Sequence, residues 1–174
     1  MRVLAAALAG IFASFPLSSR ADDGFEIALK LAKNNFLCSK LHGAVLLYAK
    51  PNWNPSAEIC TIYQSIVKTQ NGLRFLFTNS FTDEKGLPEM HGIYWVDVDC
   101  EDMLTRYSDG YYYSVSKLLK ALPSPSSKTK IYRLANGWNV YSTPKRRGEW
   151  ESLKSDITDR AKTKTCSLYF SSIH

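Results

Sequence analysis

The stretch from Lys130 to Arg147, KIYRLANGWNVYSTPKRR, decides how this chain folds. From Ile131 to Ala135 and again from Trp138 to Ser142 it reads as extended chain with side chains alternating between two faces, and Asn136-Gly137 sits between the runs. Asn-Gly supplies the positive backbone angles that a two-residue hairpin turn demands, so the segment predicts a pair of antiparallel strands. It then ends in three consecutive cations, Lys145, Arg146 and Arg147.

The same signature recurs twice upstream. Residues 62–69 and 73–81 flank Asn71-Gly72, and residues 103–107 and 111–115 flank Asp109-Gly110, so each pair predicts a hairpin. Residues 44–48 and 93–100 add two further strands. Phe25, Ala28, Leu29, Ala32 and Phe36 recur at steps of three and four, which predicts an amphipathic helix over 24–36 after the capping pair Asp22-Asp23. Trp150, Leu153, Ile157 and Ala161 predict a second helix over 149–162, and residues 166–170 predict a closing strand. Residues 117–122 suit one or two helical turns, while Pro51 to Ser56 and Pro123 to Ser127 read as loops. The fold class is therefore α+β: an N-terminal helix packed on a curved antiparallel sheet.

Arg2, the apolar run from Val3 to Leu17 and the small-residue segment Ser19-Arg20-Ala21 have the layout of a secretory leader, and the run is too short to span a bilayer. Cleavage is expected after Ala21, leaving residues 22–174 as a single secreted domain with no membrane span. With 13% aromatic and 22% charged residues, the composition is that of a folded chain. The 4 cysteines, Cys38, Cys60, Cys100 and Cys166, lie in no CxxC and beside no metal-spaced histidine, so two disulfides are expected and no zinc site. Of the three possible pairings, the expected one joins Cys38 to Cys166, tying the N-terminal helix to the C-terminus, and Cys60 to Cys100 between neighbouring strands.

The net charge of +6 conceals a gradient. From Asp22 to Tyr112 there are 8 Lys and Arg against 12 Asp and Glu; from Tyr113 to the end there are 12 against 4. A basic C-terminal third suits a polyanion or an acidic surface, although solubility alone also accounts for it.

Arg133, Trp138, Tyr141, Lys145, Arg146 and Arg147 combine ring faces with cations, the mixture that single-stranded nucleic acid prefers. A half-buried strand with a solvated tip explains the same residues. Tyr111, Tyr112 and Tyr113 offer rings for protein recognition. Asp97 and Asp99 point to one face of a strand and could hold calcium, but a solvent-facing strand end needs no ion, and no metal is expected. His42, His91 and Glu89, with Arg133, can be drawn as a phosphodiester-cleaving set, though no motif supports it. There is no Gly-x-Ser-x-Gly and no glycine-rich phosphate loop, so no cofactor is expected.

An aromatic-x-Cys near the mature N-terminus (Phe36-Leu37-Cys38), the late run Ile131-Tyr132-Arg133-Leu134 and a final Cys166 are together similar to the fungal guanyl-specific ribonuclease fold. More narrowly, they resemble the ribonuclease-like secreted effectors of powdery mildew fungi. No residues match the catalytic His, Glu, Arg and His of the active ribonucleases, so the resemblance implies a ribonuclease-like scaffold that has lost catalysis and acts in or around a host cell. The expectation is a secreted virulence effector or interaction protein, a monomer, that binds a host protein or RNA without catalysis. The alternatives are a secreted ribonuclease-like nuclease and a bacterial periplasmic inhibitor or immunity protein.

Overall fold

The computed structural model describes residues 21–50, 57–70, 72–117 and 128–171. Its centre is made by two long runs, GLRFLFTNSFT and PEMHGIYWVDVD, which pair antiparallel as β4 (Gly72–Thr82) and β5 (Pro88–Asp99). Both runs carry large apolar side chains at odd and even positions, so both faces of the sheet must be covered. Around them lie β1 (Ala44–Lys50), β2 (Ala57–Ile62), β3 (Val67–Thr69), β6 (Leu104–Ser116), β7 (Lys130–Arg133), β8 (Asn139–Lys145) and β9 (Glu151–Ser152). These described strands form one antiparallel sheet in the order β1-β2-β4-β5-β6-β8-β7. β3 continues β2 along the edge of β4, and β9 continues β8 along the edge of β6.

Helix α1 (Ala21–Asn34) covers the first face. Its Ala28, Leu31 and Ala32 are fully buried against Leu76, Ile93, Val115, Trp138 and Val140. It stops because Asn35 adopts a left-handed backbone (φ 54) and Phe36 N–H bonds back to the Leu31 carbonyl, which leaves Phe36 exposed. Helix α2 (Ile157–Ser171) covers the second face, where Leu73, Phe75, Phe77, Val96 and Val98 meet Ala161 and Cys166. No described helix is long and apolar enough to cross a membrane.

Several sequence expectations change. The Asp109-Gly110 hairpin is absent: β6 runs straight through it, and β5 pairs with both halves (Tyr94 with Tyr112, Val96 with Tyr107), so residues 108–111 form a bulge with Gly110 at φ 135. A twelve-residue neighbour gives both halves a ladder, which outweighs the local turn signal. At Asn136-Gly137 the hairpin exists but closes one residue wider, with Leu134 N–H bonding the Trp138 carbonyl and Gly137 N–H the Leu134 carbonyl. The Asn136 amide donates to the Ala32 carbonyl at 2.9 Å, tying the loop to the last turn of α1. The expected strand over 62–69 is broken by a 3₁₀ turn at Tyr63–Ser65, where Ser65 Oγ accepts from Leu76 N–H in place of a ladder partner.

The predicted 149–162 helix is also displaced. Residues 147–153 are extended beside β6, and the helix begins at Ile157 because Asp156 Oδ1 accepts from Thr158 and Asp159 N–H. It then continues through 166–170, replacing the predicted closing strand. The expected cysteine pairing is wrong: the bonds are Cys38–Cys60 and Cys100–Cys166. Cys60 lies in β2 and Cys100 follows β5, with β4 between those strands, so two strand spacings of about 4.8 Å already exceed a disulfide's reach. Cys38 and Cys166 belong to opposite faces of the sheet. Residues 1–20 of the expected leader, residues 118–122 of the predicted helical turns, both predicted loops and Asn71 lie outside the described residues.

Candidate functional site

The basic hairpin does not present the surface its sequence suggests. Trp138 is 1% and Tyr141 5% exposed, so both rings are buried, Trp138 in the core beneath α1. Arg133 pairs with Asn139 at one end of β8 and Lys145 closes the other, six residues or about 20 Å away. The three terminal cations also diverge. Lys145 Nζ sits over Tyr107 at 3.6 Å, against the second face; the Arg147 guanidinium turns toward the first; Arg146 is exposed. Burial pulls the Lys145 amine below its ordinary value and pushes the neighbouring Tyr94, Tyr107 and Tyr112 phenols up. Of the tyrosine run, only Tyr111 is exposed: Tyr113 is buried against Phe25, and Tyr112 packs near Tyr94.

A different site lies on the half of the first face where no described helix sits over the charges. Register places Val67, Arg74, Asp97 and Arg106 side by side across β3, β4, β5 and β6. Trp150, on the extended segment beyond β6, extends this row by stacking on Arg106, whose guanidinium carbon lies 4.1 Å from its ring centroid. Asp97 organises the row. Its Oδ1 accepts from Arg74 Nε at 2.7 Å and Ser108 Oγ at 2.7 Å, and its Oδ2 accepts from Arg106 Nε at 3.0 Å and Arg74 Nη2 at 3.3 Å. Arg147 Nε lies 3.9 Å from the same Oδ2 and 3.7 Å from Asp109 Oδ2. The bulge in β6 makes this possible, because it sets Ser108 against Asp97 and lets Asp109 Oδ1 accept from the Arg147 backbone N–H at 2.6 Å.

Burial works to raise the Asp97 pKa, but the hydrogen bonds from Arg74, Ser108 and Arg106 outweigh it and hold the carboxyl below its ordinary value. Three guanidinium groups thus face two carboxylates. Asp97 spends the inner edges of Arg74 and Arg106, leaving the Arg106 Nη groups without a hydrogen bond among the described residues. Arg147 makes no side-chain hydrogen bond there at all. The arrangement is a set of aimed cations beside a ring.

The acid–base set drawn from sequence does not assemble in the open. His91 is 0% exposed, stacked on Trp138 at 5.3 Å and 2.8 Å through Nδ1 from Ser80 Oγ. Burial, helped by the Lys117 charge, brings its pKa down to about 3, so the ring is neutral and sealed. His42 lies in an exposed turn before β1. Asp97 and Asp99 do share a face, but both are buried, Asp97 by its arginines and Asp99 by accepting from Glu101 and Asp102 N–H, so neither is open to a cation. Among the described residues the one metal-like cluster is Cys38, Glu58 and Cys60, and both sulfurs are in a disulfide. A cleft of about 380 Å³ lies on the second face beside the start of α2, walled by Ile59, Val96, Tyr107 and Ile157.

Sequence reasoning missed Arg74 and Arg106. Each sits within a strand-forming run (Leu73-Arg74-Phe75, Thr105-Arg106-Tyr107), where a partly buried cation requires a partner. The run Val96-Asp97-Val98 is the matching signal of opposite sign. Compared with known proteins, the chain matches no family model, no curated protein and no solved structure.

Proposed function

We propose that this chain is a secreted binding protein that works without catalysis, an interaction factor of the virulence-effector kind, and that it recognises its partner through the open half of the first face. The observation that carries the reading is the row Arg74–Asp97–Arg106–Trp150 with Arg147 beside it: oriented cations and a ring, held by a buried carboxylate. Two disulfides suit an oxidising, extracellular setting. The sealed, neutral His91 weighs against acid–base cleavage through that residue.

Guanidinium groups interleaved with an indole favour single-stranded RNA as the partner. The test is labelled single-stranded RNA incubated with the oxidised protein, read by anisotropy and by gel across a salt series. The expected result is binding of intact RNA, with a log–log salt slope of about −2 for three neutralised phosphates. Cleavage products that disappear in His42→Ala would replace this reading with a nuclease. An absence of binding at low salt moves the same face to an acidic host protein.

A further inference from the structure

Arg147 is held in place but not used. Its backbone N–H is bonded to Asp109, while its guanidinium rests between two carboxylates at 3.7 and 3.9 Å without a hydrogen bond to either. Arg106 is the complement: its Nε is bonded to Asp97, and its plane is fixed against Trp150. Because the two Nε atoms lie 3.0 and 3.9 Å from one oxygen, they are at most 6.9 Å apart. Side-chain exposures of 20% for Arg106 and 43% for Arg147, with the Trp150 residue 36% exposed, leave all three open to solvent. Paired guanidinium forks match the oxygens of a phosphoryl or sulfuryl group, and an excess of one positive charge over Asp97 and Asp109 favours an anion.

We infer that Arg106 and Arg147, backed by Arg74, form a site for a tetrahedral oxyanion, a phosphoryl or sulfuryl group carried on a small ring that lies against Trp150. This deepens the binding reading above and rests on it. Arg106 and Arg147 take the oxygens, Asp97 keeps Arg74 and Arg106 oriented before the ligand arrives, and Trp150 supplies the apolar contact for the ring.

The test uses the full oxidised chain and four probes in calorimetry at low salt: inorganic phosphate, inorganic sulfate, adenosine 5′-monophosphate and galactose 6-sulfate. A ring-bearing probe is expected to bind saturably, with inorganic phosphate competing, and to weaken about tenfold in Arg147→Gln. Trp150→Leu should weaken the ring-bearing probes and leave inorganic phosphate unchanged, a split that loss of charge or general loosening does not produce. Preference for the nucleotide identifies a phosphate ester, and preference for the sugar a sulfate ester; either supports the site. Saturable binding by none of the four, or binding undiminished in Arg147→Gln at unchanged melting temperature, overturns it. Arg147→Gln removes no side-chain hydrogen bond among the described residues, so it keeps the test open if Arg106→Gln does not fold. RNA held while all four probes fail would sink this site alone; cleavage of RNA would sink the binding reading first.

Discussion

Acidification from pH 7 to pH 5 should cost this fold about 2 kcal/mol through a single ring, that of His91. The ring is fully enclosed: Ser80 Oγ sits 2.8 Å from Nδ1, Trp138 covers its face, and Nε2 has no hydrogen-bond partner among the described residues. Charging it in place means bringing an imidazolium into this pocket near the Lys117 ammonium, which is why its pKa falls to about 3 in the folded chain. In the unfolded chain the same ring takes its proton near pH 6.5. Below that pH the unfolded state binds a proton that the folded state refuses, so stability falls as pH falls, by about 1.4 kcal/mol per unit until pH 3. Asp97 confuses little of this window, because its lowered pKa contributes stability that is lost only as pH drops below the ordinary carboxylate range. Urea unfolding followed by tryptophan fluorescence at pH 7, 6 and 5 reads the slope directly. His91→Gln removes the titration whatever it does to the absolute stability, so the comparison is of slopes. A wild-type loss under about 0.5 kcal/mol across this range, or an equal slope in the variant, would refute the argument.

Two further expectations concern the frame that holds the site. Asp97→Asn leaves Arg74 and Arg106 facing each other without their shared counter-charge; since both arginines reach water, the cost should be about 2 kcal/mol, read as a lower urea midpoint, and no loss of stability would mean the row is only decorative. Replacing Cys100 and Cys166 by serine opens a loop of 66 residues and should cost about 4.3 kcal/mol, against about 3.4 for the 22-residue Cys38–Cys60 loop; peptide mapping under non-reducing conditions that joined Cys38 to Cys166 would void both figures.

Sequence patterns carried the sheet further than they carried the site. Alternation in β4 marks Leu73, Phe75 and Phe77 for one face, and Asn136-Gly137 does turn the chain between β7 and β8. Asp109-Gly110 has the same local grammar, yet β5 extends far enough to pair on both sides of it, a fact held in another part of the chain. Residues 166–170, SLYF and its neighbour, carry strand-forming types, and only the cap at Asp156 and the stripe Ile157, Ala161, Thr165 and Leu168 reveal that the helix continues. The arginine row was least legible because it depends on register. Arg74, Asp97 and Arg106 are 23 and 9 residues apart, and only a pairing in which each falls opposite the next brings them together. The cation run 145–147 was conspicuous for the opposite reason: adjacency in sequence sends neighbouring side chains to opposite faces of an extended chain.

The two disulfides also set an order of events. Cys38 bonds the next cysteine along the chain, Cys60, and Cys100 bonds the next after that, Cys166, so the two loops neither nest nor cross. A chain delivered N-terminus first into an oxidising compartment meets each correct partner before any competing one has arrived for that pair. Oxidation during delivery therefore reaches the native bonds without reshuffling, whereas refolding from the fully reduced, full-length chain exposes all three pairings at once and needs thiol exchange to resolve them. The unnested bond pattern suits a chain that is oxidised while it is being delivered.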